Sequence, residues 1–579
     1  MTKELWFETK IPGDYRDLAI QYGVSPAMAR LIVNRLSEQG ARSLPDLSEV
    51  HEYLSPDPSV IYSYEKLPDI ERAVDIISSM ISEGKKIRVI GDYDIDGVCS
   101  TYILTNGLQK AGADADHAIP HRMTDGYGLN ERLIREAADA GVQCIITCDN
   151  GIAAAAQIRL ARDLGITVVV TDHHEVPYHI EDGIRKEDMP EADAVVDIKR
   201  SDSEYGFTEI CGAVIAFKLL TALYDRIGTD RSQAEDYVEL AAFATIGEVM
   251  PVIRENRALV RVGLEKLGHT ENKGMQALIR AQGIDGTAIR PYHAGFVLGP
   301  CINATGRLAT ADNAYELFDA HTQEEAERIS GMLVAMNKDR KEMTDRGLEK
   351  ALEAALSPEM ADDRVLVIFL PDIHESVAGI IAGRVREKTG KPVFVLTEGE
   401  DCIKGSGRSI DEYEMHEAMT SVSELLEKFG GHKMAGGLSL KENVTPGMLR
   451  ERLNSICTLT ERDLAVKVRF DMQLPFSYAD TDLVSEIEAL EPFGMGNPRP
   501  LFAAKDVKLR HINIYGADRK VLKCIAEDGY GTSVNAVYFG DADSLSEYAA
   551  SNTLKIIYYP EINEYKGNRT LQVCIQNYC

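Results

Sequence analysis

KIRVIGDYDIDG, residues 86–97, decides the fold. The β-branched run Ile87–Ile90 stops at a glycine and three alternating aspartates, and the helical pattern STYILTNGLQKAG (100–112) follows at once. The same grammar recurs. VQCIITCDNGI (142–152) leads into AAAAQIRLARDLG (153–165), and ITVVVTDHHE (166–175) comes next. Short β-branched runs alternating with helices of about a dozen residues specify an α/β fold with a parallel, helix-covered sheet. That pattern holds from Lys85 to about Ala244. In such sheets ligands sit beyond the carboxyl ends of the strands, and the unusual residues of this chain gather there.

Asp92, Asp94 and Asp96 follow the run Ile87–Ile90, Asp149 follows Cys144–Thr147, and Asp172-His173-His174 follow Ile166–Val170. The opening D-x-D-x-D-G matches a calcium loop of EF-hand type. That loop needs a Glu at its twelfth position, here Ile103, and a helix before it, here a strand. Singly, each acid has an ordinary explanation, because Asp-Asn-Gly is a common turn and Asp a common helix cap. Together they place carboxylates and imidazoles at one edge of one sheet. Clustered carboxylates repel unless cations neutralise them, and a pair of hard divalent ions bridged by a shared Asp is the natural solution. With carboxylates and one imidazole as ligands, Mg²⁺ or Mn²⁺ is favoured over zinc. Two such ions ~3.5–4 Å apart serve phosphoryl-group displacement, so hydrolysis of a phosphate ester is the expected reaction class. No P-loop G-x-x-x-x-G-K-[ST] is present, which argues against an NTPase.

Outward from this sheet the pattern changes several times. Residues 14–40 carry two short helical stretches, with Ser25-Pro26 as a start signal between them. They read as a structural lead-in over 1–80 rather than as a base-reading helix-turn-helix, since no polar face stands out. The sheet domain is expected over 81–309. Residues 310–356 are polar and without proline, which predicts one long helix joining two domains. A second α/β unit begins at Val365 and is expected within 357–460. From 461 to 579 the pattern is all-β, with strands at 505–514, 520–526, 533–539, 553–560 and 569–576. The turns between them include Tyr515-Gly516-Ala517-Asp518 and Lys566-Gly567-Asn568. Five short strands fit a small barrel of OB type.

Across 579 residues, 63 Lys and Arg stand against 92 Asp and Glu, a formal charge of −29. Taken alone, that balance argues against a polyanion as partner. With 44% hydrophobic and 27% charged residues, the chain can bury ordinary cores and is neither disordered nor fibrous. The candidate apolar run, Ala213–Leu223, is interrupted by Lys218, so no membrane span is expected. The first ten residues, MTKELWFETK, hold no apolar signal core. The ten cysteines form no C-x-x-C, which predicts neither a zinc cage nor a disulfide framework. A reduced, cytoplasmic protein is expected.

GDYDIDG, CDNGI and TDHHE resemble the first three motifs of the DHH phosphoesterase superfamily. PHRMTDGYGLN, CGAVIAFKLL, FVLGPCINATGRL, HESVAGIIAGRVREKTGKPVFVLT, GSGRSI, FGGHKMAGG and EPFGMGNPRPLF follow in the order seen in the RecJ single-strand-specific 5′→3′ exonucleases. The resemblance covers roughly residues 15–579. It implies a parallel-sheet DHH domain, a long connecting helix, an α/β DHH-associated domain and a C-terminal OB-fold. It also implies two Mn²⁺ or Mg²⁺ ions held by Asp94, Asp96, bridging Asp149 and His173, with Asp92 in the same motif. His174 resembles the residue that touches the scissile phosphate. In TIGEV, Glu248 stands where the family carries an Asp, one methylene shorter, so the resemblance implies that Glu248 is a metal ligand as well. Arg122, Ser406 and Arg408 match positions that hold the 5′ end, and Arg307 one that restricts the passage to a single strand. Arg384 resembles a backbone contact, and Gly431 and His432 sit where backbone N–H groups could approach phosphate. For each Arg the plain alternative is a surface ion pair, which the excess of acids makes easy.

The implied activity is release of mononucleotides from the 5′ end of single-stranded DNA in repair or recombination. The implied enzyme is a monomer, working with a RecQ-type helicase and a single-strand-binding protein. Two rival readings remain. One is a DHH phosphodiesterase for short oligonucleotides or cyclic dinucleotides, the other an inactive single-strand-binding scaffold. The charge of −29 then describes the exterior, and the substrate is expected to enter an internal channel.

Overall fold

The computed structural model describes residues 4–38, 44–55, 58–122, 125–399, 401–565 and 568–579. They form two compact units. One comprises Phe7–Gly299, Ala314–Glu327 and Arg469–Cys579, the other Met1–Trp6, Pro300–Asn313 and Arg328–Val468.

In the first unit, β1 (Lys86–Ile90), β2 (Asp114–Ala118), β3 (Cys144–Cys148), β4 (Thr167–Asp172) and β5 (Ala194–Asp197) form one sheet in the order β2-β1-β3-β4-β5. Every pairing is parallel, as the unbroken apolar runs require. One face is covered by a cluster that includes Ile90, Leu133, Ile134, Ile145, Ile158, Val168 and Val170. Helices α1 (Ile95–Lys110), α2 (Gly212–Ile227) and α3 (Val238–Gly247) belong to the same domain. The strand order reverses between β1 and β3, so a crevice opens at their carboxyl ends.

The second unit carries a five-stranded sheet built from β6 (Leu366–Phe369), β7 (Val393–Glu398), β8 (Ile403–Arg408), β9 (Leu426–His432) and β10 (Ala435–Leu440), in the order β9-β10-β8-β7-β6. Helix α4 (Glu375–Thr389) packs on β7 and β8. The single helix expected over 310–356 is two helices, Asp312–Phe318 and Gln323–Ala355. The break is chemical. Thr322 Oγ1 accepts the Glu325 N–H at 3.2 Å, and the Glu325 carboxylate accepts the His321 N–H at 3.1 Å. T-x-x-E is a helix start, and it resets the helix there.

The C-terminal barrel consists of β11 (Met472–Gln473), β12 (Phe502–Tyr515), β13 (Val521–Glu527), β14 (Ser533–Phe539), β15 (Leu554–Tyr565) and β16 (Asn568–Tyr578). The order β12-β13-β14-β16-β15 closes back onto β12, with β14 and β16 parallel. The helix Ala542–Ser551 supplies the crossover. The expected lead-in over 1–80 does not stand apart. Its helices Pro26–Glu38 and Leu47–Leu54 contribute Met28, Leu31, Ile32 and Tyr53 to the barrel's own core, beside Phe476, Phe502 and Tyr558. A buried ion pair, Arg35 Nη1 to Asp471 Oδ1 at 2.8 Å, fastens them. The later helix Ile70–Ser82 packs instead beside β5.

Candidate metal centre

The aspartate motif is the turn from β1 into α1. Asp94 caps α1, its Oδ1 accepting the backbone N–H of Asp96 and of Gly97, each at 3.0 Å. A Cβ on Gly97 would stand 2.4 Å from the Asp92 carbonyl oxygen, so only glycine lets the turn close. Asp96 points across to α2, where its two oxygens accept the N–H groups of Gly212 and Ala213 at 2.7 and 2.8 Å. The positive end of that helix favours its charge. Asp149 follows β3 with φ 60°, a conformation uncommon outside glycine that tends to be held at functional sites. Its neighbour Asn150 donates from Nδ2 to the carbonyls of Ile90 (3.1 Å) and Cys148 (2.9 Å). That side chain ties β1 to β3 where the crevice opens.

At the end of β4, His173 Nε2 lies 3.0 Å from Asp149 Oδ1 and 3.5 Å from Asp96 Oδ2. His174 Nδ1 lies 2.7 Å from Asp172 Oδ1. The other Asp172 oxygen accepts the Ile152 N–H at 2.9 Å. The Tyr127 hydroxyl donates to the Asp149 carbonyl at 2.8 Å and stands 3.2 Å from His174 Nε2. Two sets of ligand atoms result, Asp92–Asp94–Asp149 and Asp149–His173–His174, each within 4.8 Å. Asp149 belongs to both.

Electrostatics match this geometry. Burial, reinforced by mutual repulsion, holds the carboxyls of Asp92, Asp94 and Asp149 above their ordinary range. Glu248, at the end of α3, is pushed up to about 9 by burial and by Asp94 and Asp96. Burial keeps His173 below its ordinary value, which favours a neutral ring with a lone pair free for a cation. Burial also opposes a charge on His174, but the Asp172 hydrogen bond and neighbouring acids outweigh it and raise it to about 9. Asp172 itself is lowered against burial, chiefly by His174. A buried set of carboxylate oxygens with one neutral imidazole, short of positive charge, fits hard divalent cations such as Mn²⁺ or Mg²⁺.

Of the remaining expected residues, Arg122 lies in the same unit as the acids, its guanidinium 5.1 Å from the Tyr93 ring within the aspartate motif. The others lie in the second unit. Arg307 Nη1 donates to the Ser376 carbonyl at 2.7 Å in the first turn of α4. Arg408 crosses the same helix, where a Cβ on Gly379 would meet its Nη2 at 2.9 Å. Ser406 precedes Arg408 by two residues on β8 and so shares its face. Arg384 forms an exposed ion pair with Asp345 at 2.7 Å. Gly431 has φ 138°, and His432 Nδ1 accepts the Met434 N–H at 3.2 Å, so both shape the β9–β10 hairpin.

The barrel tyrosines divide. Tyr558 is core, donating to the Leu474 carbonyl at 2.8 Å, and Tyr538 packs edge-on against Tyr578. Tyr559 lies under the Arg499 guanidinium, whereas Tyr515 and Tyr530 are exposed. The Tyr565 side chain and the turn residues Lys566 and Gly567 lie outside the described residues. Three roles within the site escaped the sequence reading. Asp172 was visible as part of TDHH, but its grip on His174 was not. Asn150 looked like a turn residue. Tyr127 comes from a loop twenty-two residues before Asp149; it lies within PHRMTDGYGLN, but nothing in that string gave it a role at the site.

Comparison with known proteins agrees with this layout. Residues 86–245 match the DHH family, N-terminal domain, residues 362–459 the DHHA1 domain, and residues 470–577 the RecJ OB domain. The single-stranded-DNA-specific exonuclease RecJ of Bacillus subtilis is 30% identical over 566 residues, covering 97% of this chain and 69% of that protein. The Escherichia coli protein of the same name is 30% identical over 575 residues, covering 95% of each chain. Among solved structures, Thermus thermophilus RecJ in complex with Mn²⁺ superposes with a TM-score of 0.80 at 27% identity, covering 100% of this chain and 80% of that one. The Mg²⁺ complex gives a TM-score of 0.76 at 26% identity, covering 100% and 78%.

Proposed function

The chain belongs to the RecJ family of single-stranded-DNA-specific exonucleases, and from that premise we propose that it hydrolyses single-stranded DNA from the 5′ end, with Mn²⁺ or Mg²⁺, releasing mononucleotides. The observation that carries this reading is the shared position of Asp149, whose carboxylate groups with Asp92 and Asp94 and also lies 3.0 Å from His173 Nε2. Asp92, Asp94, Asp96, Asp149, His173 and Glu248 would hold the cations. Bound there, divalent cations supply Lewis acidity to the phosphate oxygens and to the attacking water.

The protein's own groups do the rest. Asp172 Oδ1 keeps a proton on His174 Nδ1, and the charged ring donates from Nε2 to a non-bridging phosphate oxygen. Tyr127 fixes that ring against the Asp149 backbone. Asn150 and the α2 N-terminus hold the strand ends and Asp96 in place, which is preorganisation of the site. In this reading Arg122 in the first unit is a phosphate contact, and so are Ser406 and Arg408 in the second, since Arg forks suit phosphate oxygens. Arg307 narrows the strand's path, and Arg384, Gly431 and His432 border it. A RecQ-type helicase and a single-strand-binding protein supply the strand in the cytoplasm. A scaffold without activity would have lost ligands, and a dinucleotide hydrolase has no need of a nucleic-acid-binding barrel.

The test is digestion of a 3′-labelled, 5′-phosphorylated single strand with Mn²⁺. Wild type shortens it from the 5′ end and Asp149→Ala leaves it intact. Activity untouched by that change would refute the centre.

A further inference from the structure

His293–Leu298 forms a π-helical segment, a geometry that recurs at functional sites. It leans on the metal centre. A Cβ on Gly295 would lie 3.3 Å from Ile246 in α3, and one on Gly299 would lie 3.3 Å from Ile95 Cδ1. Ile95 sits between Asp94 and Asp96. A Cβ on Gly247, next to Glu248, would meet the same side chain at 2.6 Å. One isoleucine therefore supports the aspartate turn, the helix end bearing Glu248 and the π segment.

On the outer side of this segment two large rings face solvent. Tyr292 is 64% exposed and Phe296 75%. Their centroids are 5.6 Å apart and their planes are 24° from parallel, so they present a stacked pair rather than two unrelated side chains. Val249, beside Glu248, adds a further exposed apolar surface at 61%. The centre itself, loaded with cations, serves the phosphate and offers nothing to the bases, whereas an uncharged π-face receives any base. Rings left in water beside such a centre gain most from an aromatic partner.

We propose that Tyr292 and Phe296 form a stacking platform for nucleobases of the single strand beside the metal centre. The inference rests on the exonuclease reading and adds positioning residues to it. Base stacking there holds the strand without reading its sequence.

The test compares wild type with Tyr292→Ala, Phe296→Ala, the double variant, Phe296→Leu and Tyr292→Phe. Substrates are 5′-phosphorylated strands, intact or carrying one abasic unit at successive positions from the 5′ end. The double variant is expected to raise KM by about ten-fold or more with kcat little changed. Phe296→Leu, apolar but without a π-face, should resemble Phe296→Ala, and Tyr292→Phe should resemble wild type. One abasic position should weaken wild type by a similar factor and leave the double variant unaffected. An unchanged KM in the double variant, or retained abasic sensitivity, would overturn the platform while leaving the exonuclease reading intact. If wild type digests no single strand, that broader reading falls instead. Anisotropy of labelled oligothymidylate in EDTA then decides the platform alone, with equal affinity for wild type and double variant counting against it.

Discussion

Asp172 and His174 show what a single contact decides. The Asp172 carboxylate accepts from the His174 ring and from two backbone N–H groups around it, so it fixes both the rotamer and the charge of that histidine. Asp172→Asn keeps the volume but removes the negative charge that raises His174 to about 9. His174 should then titrate nearer ~6.5, and the alkaline fall of kcat should move to lower pH. The loss in kcat at neutral pH should be about 10–100-fold, as for other groups that orient a reacting side chain. A pH–rate profile with an unmoved alkaline limb would refute the role. The acids themselves were legible in the sequence because three strands ended alike. The orientation of His174 was not, since it depends on which Asp172 oxygen faces the ring and on Tyr127 arriving from a distant loop.

At the scale of elements, the parallel sheet could be read from Ile87–Ile90, Cys144–Thr147 and Ile166–Val170, because strands buried on both faces are continuously apolar. The order β2-β1-β3-β4-β5 could not, since pairing partners leave no mark in a local pattern. The helix break at Thr322 was legible in principle. T-Q-E-E is a capping signal, but it sits inside a polar stretch with no proline to announce a stop. The turn entering α1 yields a sharper prediction. Gly97→Ala would drive a methyl into the Asp92 backbone, with its carbonyl oxygen 2.4 Å away. Overpacking of this kind costs about 1–3 kcal/mol, more than the usual helix propensity of alanine returns. Because Asp92 must shift, the Mn²⁺ concentration for half-maximal activity should rise together with a drop in melting temperature. A stable variant with unchanged Mn²⁺ dependence would show that the turn tolerates a side chain.

Across the whole molecule, the division of the sequence into consecutive domains misleads at its start, because the helices of residues 26–54 complete the core of a barrel that begins after residue 470. Nothing local signals a partner more than 400 residues away, such as Asp471 for Arg35. Removing Arg35 leaves a buried carboxylate unpaired, which costs about 3–5 kcal/mol. Arg35→Ala should therefore lower the barrel's unfolding midpoint in urea, and Arg35→Ala with Asp471→Asn should recover part of it. The excess of acid expressed by the charge of −29 has its sharpest local form in the metal centre, and that sets a pH dependence of known sign. Asp92, Asp94, Asp149 and Glu248 all titrate above their ordinary values in the folded chain. Without cations, the stability they contribute is present below about pH 4. It is lost as the pH rises through their folded values, which for Glu248 reach about 9. His174 acts in the same sense, its contribution present below ~6.5 and lost through about 9. Asp172, shifted downward, has already ionised and does not titrate in this window. Divalent cations replace the bound protons, so the rise in melting temperature produced by Mn²⁺ over EDTA should widen steadily from about pH 5 to about pH 9. Asp149→Asn, which removes the carboxylate common to both ligand sets, should shrink that gap at every pH, most at the alkaline end. A gap that stayed constant with pH would mean that these carboxylates do not take up the metal in place of protons.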